Sequence, residues 1–228
     1  MNDIILAEGA GISLASYIPA DSISTIKLGK LAKEWRSQGY GYGVLDDSQS
    51  KNPHILNAFL SSGLQIWVSY TVAPEPVVLQ RLKESGVSAV IIPAERIEVI
   101  ASTIRRVNRN KLACIIRQDP VRGSLYTFDD ARALRLADAY GIFSLVDNME
   151  ISKPFIGEGL KYYSGNISQI KNSIKVGASG VISPLSIVNP ALLLDAWKGD
   201  VVAQNEAIKC EEKGAQYIIN DAIDLISN

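Results

Sequence analysis

Three observations predict an α/β fold of the (β/α)8 TIM barrel class. Short apolar runs alternate with helical stretches along the chain, and the runs number eight. Consecutive runs are separated mostly by single helices, which implies a parallel sheet, because parallel neighbours need a crossover connection. Eight such units in about 200 residues fit a small closed barrel. An open doubly wound sheet is the alternative, and the strand number favours closure.

The elements follow in order. Residues 12–18, ISLASYI, read as the first strand, and 24–35, STIKLGKLAKEW, as an amphipathic helix. YGVL (42–45) is the second strand. Asn52 and Pro53 then open a helix through Leu60, with asparagine at the N-cap and proline at the first helical position. LQIWVSY (64–70) is the third strand, followed by a helix over 75–85 that Gly86 stops. SAVIIP (88–93) with helix 96–108 forms the fourth unit, and KLACIIR (111–117) is the fifth strand. Thr127 with Asp130 three residues on resembles a capping box for helix 128–140. IFSLV (142–146) is the sixth strand. Pro154, Gly157 and Gly159 interrupt the connection after it, so a short turn or one helical turn is expected there. LKYYS (160–164), helix 167–176 and SGVIS (179–183) complete the barrel. Asn189-Pro190 starts another helix, and 200–213 and 218–226 read as helical. The first residues, DIILAEG, are expected to form a hairpin with 12–18 or to plug the barrel bottom. One rim should collect the strand ends at Tyr17, Asp46, Thr71, Pro93, Arg117, Val146, Ser164 and Ser183. A single domain is expected over 1–228, with the barrel at about 12–198 and C-terminal helices at about 199–228.

Composition excludes several function classes. Hydrophobic residues make up 47%, enough for an ordinary buried core, and the net charge of -1 gives no pull toward nucleic acid or an acidic membrane. No apolar run approaches the roughly 20 residues that span a bilayer. The N-terminus lacks a basic n-region and a long apolar h-region. Cys114 and Cys210 stand alone, outside any CxxC spacing, so neither a disulfide nor a zinc site is predicted. A cytoplasmic setting is expected, with no nucleic acid, no membrane and no cofactor.

Barrel sites gather at strand C-terminal ends. Asp46, Asp47, Asp119, Asp147 and Glu150 all fall there. Oxygen ligands from several strands could hold Mg²⁺ or Mn²⁺; the alternative is that acids end strands as loop and cap residues. No metal ligand set is predicted. Arg117 and Arg122 either clamp an anion, since a guanidinium matches a carboxylate in a two-point fork, or pair with Asp119 or Asp147. GYGYG (39–43) precedes a strand and opens no helix, which is the wrong context for a dinucleotide loop. SGN (164–166) sits where many barrels bind phosphate, with Asn166 or Ser168 also suited to an N-cap. His54 is the single histidine, which excludes Ser-His-Asp chemistry and multi-histidine zinc sites as main readings. Tyr70 and Tyr17 end strands, as proton shuttles or as packing residues. Trp35, Trp67 and Trp197 read as packing residues.

The segment YYSGNISQIKNSIKVGASGVISPLSIVNPALLLDAWKGD (162–200) resembles the dihydrodipicolinate synthase/N-acetylneuraminate lyase family: a seventh strand ending in Ser-Gly, a helix, an eighth strand in GA-x-GVIS, and an Asn-Pro helix. LQRLKESGVSAVIIPA (79–94) and LACIIRQDPVRGS (112–124) are similar to its third helix with strand four and to its strand five with a Pro-x-Arg loop. The resemblance implies a TIM barrel with a C-terminal helical extension, reduced here, and a homo-oligomer. It also implies class I aldol chemistry on pyruvate: a strand-six lysine forms a Schiff base, a strand-five tyrosine shuttles protons, and a Gly-Thr-Thr stretch after strand two holds the carboxylate. This sequence departs from all three. SLVDN aligns Val146 with the lysine, IIRQDP puts Arg117 at the tyrosine, and VLDDSQ puts Asp46, Asp47 and Ser48 at Gly-Thr-Thr. Arg122 matches the loop arginine, and Ser164 and Ser183 match scaffold near the site.

Valine offers no nucleophile for an imine. Lys153, the nearest lysine in sequence, lies in the loop beside Pro154. The expected substrate-binding residues are therefore Arg117, Arg122, Ser48, Asp47, Ser164 and Ser183, and the catalytic candidates are Asp147 and Tyr70. Three functions follow: a divergent lyase-type enzyme acting on a small 2-oxo acid or related anion without the imine, a non-catalytic homologue that binds a small anionic metabolite or a partner subunit, or a metal-assisted enzyme using the acidic rim.

Overall fold

The computed structural model of the chain describes residues 4–15, 18–121, 125–146, 149–212 and 215–227. Eight strands, β1 (Gly9–Ser13), β2 (Tyr42–Asp46), β3 (Gln65–Ser69), β4 (Ala89–Pro93), β5 (Ala113–Gln118), β6 (Gly141–Ser144), β7 (Lys161–Ser164) and β8 (Gly180–Ser183), pair in chain order and close as a barrel. Every pairing is parallel, including β8 back to β1.

Helices α1 (Thr25–Gln38), α2 (Asp47–Ser50), α3 (Pro53–Ser62), α4 (Pro76–Glu84), α5 (Ile97–Arg109), α6 (Phe128–Leu136), α7 (Lys153–Gly157) and α8 (Ile170–Lys175) fill the crossovers. After β8 come α9 (Leu185–Val188), α10 (Pro190–Trp197), α11 (Val201–Glu212) and α12 (Ala215–Ile226). The local signals act as read. Asn52 Oδ1 accepts the His54 N–H at 3.0 Å to start α3, and Asp130 accepts the Thr127 N–H at 2.8 Å to start α6.

Strand alternation sorts the side chains into two cores. Tyr42, Val44, Trp67, Ile91, Ile115 and Tyr163 face inward with Phe143 and Ile182, whereas Leu45, Val68, Val90, Ile116, Ile142 and Val181 face the helices. Burial on both faces is why the strands read as continuous apolar runs. The inner core centres on aromatic rings: Tyr42 stacks on Trp67 at 3.8 Å, and Tyr163 meets Trp67 edge-on at 5.0 Å. The described residues before β1 form no hairpin. They close the bottom, with Leu6 in the inner core and its N–H on the Tyr140 hydroxyl at 3.0 Å.

Three strand ends differ from expectation. β1 runs over Gly9–Ser13, earlier than 12–18, because Leu14 and Ala15 both donate to the Val44 carbonyl and turn the chain. The apolar residues Leu14 and Ile18 are buried as loop. β3 stops at Ser69, short of Thr71. β6 stops at Ser144, where the serine hydroxyl takes the Val146 N–H at 3.2 Å and ends the ladder. Tyr17 lies outside the described residues.

Gly11 packs directly under the Tyr42 ring, and a Cβ there would overlap the ring carbons. Gly11→Ala should cost about 1–3 kcal/mol through overpacking, read as a lower urea midpoint with an unchanged m-value.

Candidate active site at the barrel mouth

The C-terminal ends of the strands surround a cavity of about 70 Å³. Inward-facing residues of the last layer line it: Ser13, Val44, Ser69, Arg117, Phe143 and Ile182. Ala15, Leu145, Gly165 and Pro184 close it from the loops. Its one described cation is Arg117, whose Nη1 donates to Ser69 Oγ at 3.2 Å. The barrel register pairs Pro93 with Arg117 and Arg117 with Phe143. The strand-six side chain beside Arg117 is thus Phe143, and Val146 falls beyond the strand. No side chain of Gly141–Ser144 carries an amine. Gly165 accommodates this arrangement, since a Cβ there would strike Leu145 and Phe143.

The other sequence candidates occupy different places. Asp47 opens α2 and pairs with Lys51 at 2.6 Å, half exposed. Ser48 donates to Asp46 Oδ1 at 2.7 Å. Asp46 also accepts the Gln49 N–H, and buried Gln49 donates to the carbonyls of Leu14 and Ile18. This stretch therefore caps a helix and ties the loop after β1 to β2. Tyr70 is buried in the outer core, facing Asp47 and Ser50. Burial, then the Asp47 carboxylate, pushes its phenol up to about 12, so it keeps its proton at neutral pH. Ser164 and Ser183 have the outward parity of their strands, and each hydroxyl accepts a loop N–H, from Asn166 at 3.3 Å and Leu185 at 3.2 Å. Arg122, Asp147 and Asn148 lie outside the described residues.

The described acids of the rim serve local structure: Asp119 accepts the Val121 N–H at 2.9 Å, and Glu150 pairs with Lys153 at 2.6 Å. Among the described residues no three His, Cys, Asp or Glu side chains converge as a metal would need. His54 lies in a groove between α1 and α3, away from the mouth. The residues that sequence reading missed as cavity lining are Ser13, Ser69 and Phe143. Their signal was the two-residue period, counted along each strand from its inward aromatic or from Arg117.

The position after β7, where barrels often hold phosphate, is filled by the chain itself. Asn166 caps the turn by accepting the Ser168 N–H at 2.9 Å. Glu211 of α11 reaches in and accepts the N–H groups of Ile167 and Ser168 at 3.2 and 2.9 Å. A carboxylate from the C-terminal helices thus occupies the anion-holding amides.

No protein-family model matches the sequence, and no curated protein matches it. Solved structures do. A Coccidioides immitis protein ascribed to the dihydrodipicolinate synthase family superposes with a TM-score of 0.78 at 12% identity, covering 99% of this chain and 86% of that one. YagE, a prophage protein of the dihydrodipicolinic acid synthase family from E. coli K12 solved with pyruvate, gives 0.75 at 14% identity over 96% and 88%. The Ruminococcus gnavus sialic acid aldolase gives 0.67 at 14% identity over 94% and 79%. In fold, the chain is similar to dihydrodipicolinate synthases and sialic acid aldolases. At these identities the likeness is one of architecture: a closed (β/α)8 barrel with helices after β8.

Glu211 gives this barrel a checkable feature. Glu211→Gln should cost about 1 kcal/mol, because charge-assisted bonds become neutral ones. Amide exchange at Ile167 and Ser168 should accelerate with it.

Proposed function

We propose that this lyase-type barrel binds a small anionic metabolite, a 2-oxo acid or related carboxylate, at its mouth and forms no Schiff base with it. The observation that carries the reading is the pairing of Arg117 with Phe143 in the last inward layer. It sets a guanidinium, the natural partner of a carboxylate, beside an aromatic wall instead of an amine. Ser13 and Ser69 add hydroxyls to the same small space. Arg122 is proposed as a second cation from the loop after β5, and Asp147, next after Val146, as the candidate base. Lys153 offers no substitute nucleophile in this reading, since it sits on α7 paired with Glu150.

A non-catalytic binding role follows most directly. Imine formation needs an amine fixed beside the carbonyl and partly unprotonated, and the described mouth supplies none. Divergent lyase chemistry with Asp147 as base is the second reading. It is separated from the first by turnover of the bound acid, followed by nuclear magnetic resonance.

No helix among the described residues is long and apolar enough to cross a membrane. We include a cytoplasmic setting in the proposal, and a homo-oligomer supported by the exposed apolar residues Val72 and Val121 on the mouth-side connections after β3 and β5 and Phe128 at the start of α6. A light-scattering mass of one chain at micromolar concentration refutes the oligomer.

Two outcomes test the site. Calorimetry with pyruvate and other short 2-oxo acids should show binding that Arg117→Ala weakens by about 2 kcal/mol or more, roughly thirtyfold; unchanged affinity sinks the anchor. Borohydride reduction in the presence of pyruvate should leave the intact mass unchanged. A stoichiometric adduct, above all at Lys153, would return the chain to imine chemistry.

A further inference from the structure

A cavity of about 320 Å³, against about 70 Å³ at the mouth, opens at the opposite pole of the barrel. Its size falls in the range of small-ligand sites. Ile4 of the plugging segment, Ala113 and Ala139 form apolar walls, and Arg135, Asp138 and Tyr140 supply polar groups. Arg135 and Asp138 are both exposed, and no ion pair joins them to each other or to another described residue. Lys161, at the edge, is held by Glu8. The Tyr140 hydroxyl accepts the Leu6 N–H and keeps its own proton to donate.

A second observation concerns Asp138. It holds a left-handed backbone, with φ of 63°. The corresponding turns after α1, α3, α4, α7 and α8 place Gly39, Gly63, Gly86, Gly159 and Gly177 there. Only the turns before β5 and β6 carry side chains at this position, Lys111 and Asp138, and of the two Asp138 lines the cavity. A side chain is strained in this conformation, though aspartate tolerates it better than most. Strain kept beside a cavity is a pointer to use.

We propose that this cavity is a second ligand site, taking a small zwitterion of the amino-acid class. The ligand carboxylate meets Arg135 and the Tyr140 hydroxyl. Its ammonium meets Asp138 and the negative C-terminal end of α6. Its side chain lies toward Ile4, Ala113 and Ala139. A bound ligand would bridge the plugging segment to the turn before β6 and so tighten the barrel bottom.

The test is calorimetry on the full chain with each proteinogenic L-amino acid at millimolar concentration. Saturable binding of at least one is expected. Asp138→Gly relieves the backbone strain, so the fold should be at least as stable, yet affinity should fall about tenfold or more with loss of a charged partner. Arg135→Ala should weaken binding to a similar degree, and Arg117→Ala at the mouth should leave it unchanged. Absence of binding by every amino acid overturns the proposal, as does retained affinity in either Asp138→Gly or Arg135→Ala.

Discussion

Closure of the sheet rests on a seam where β8 meets β1 at bare backbone. Gly180 lies against the Gly9 carbonyl so closely that no side chain fits, and the Tyr42 hydroxyl donates to the same carbonyl at 3.1 Å. The ring of Tyr163 closes the space from the other side. The bare Gly180 thus lets the last strand reach the first, Gly9 supplies the left-handed backbone opposite it, and the aromatic rings fill the interior that closure creates. Once this seam is set, the parity of every strand follows. A one-residue slip would turn the inner core outward, taking Arg117 out of the mouth and bringing Ser164 and Ser183 into it.

Parity also decides what the mouth can do. The last inward layer offers a guanidinium, serine hydroxyls and a phenyl ring, in a space of about 70 Å³. In the proposed reading that set holds a small anion, and its described residues include no amine for an imine. The carboxylates that crowd the rim in sequence go elsewhere. Asp46 closes a capping box and Asp119 a turn. Asp47 and Glu150 pair with lysines on their own helical turns. Glu211 arrives from α11 to satisfy the amides after β7, which couples the C-terminal helices to the rim instead of leaving an anion site open.

The two poles therefore differ in kind. The mouth is small, with an apolar wall behind one described cation. The bottom is sealed by Leu6 over the inner core, and Gln65 holds the same segment through the Ala7 N–H and the Ile5 carbonyl. Beside that seal lies the roomier, two-signed cavity at Arg135 and Asp138. In barrels the strand C-terminal face carries chemistry and the opposite face carries stability. A ligand at the bottom would act through the plugging segment, on the stability side of that division.

Much of the architecture was legible in the sequence. Eight apolar runs and the caps at Asn52, Thr127 and Asn189 are local signals, because a helix start or a buried strand depends on residues within a few positions. The missing strand-six amine was legible too, since no residue of 141–146 is a lysine. The ends of β1, β3 and β6 were not, because a ladder stops where its neighbour's carbonyl or a serine hydroxyl takes the next amide, and those partners come from distant sequence. The facing of Arg117, Ser69 and Phe143 was likewise left to the tertiary structure. Each strand alone permits either parity, and only the Gly9–Gly180 seam, by fixing the register around the closed ring, selects the one in which these three side chains share a cavity.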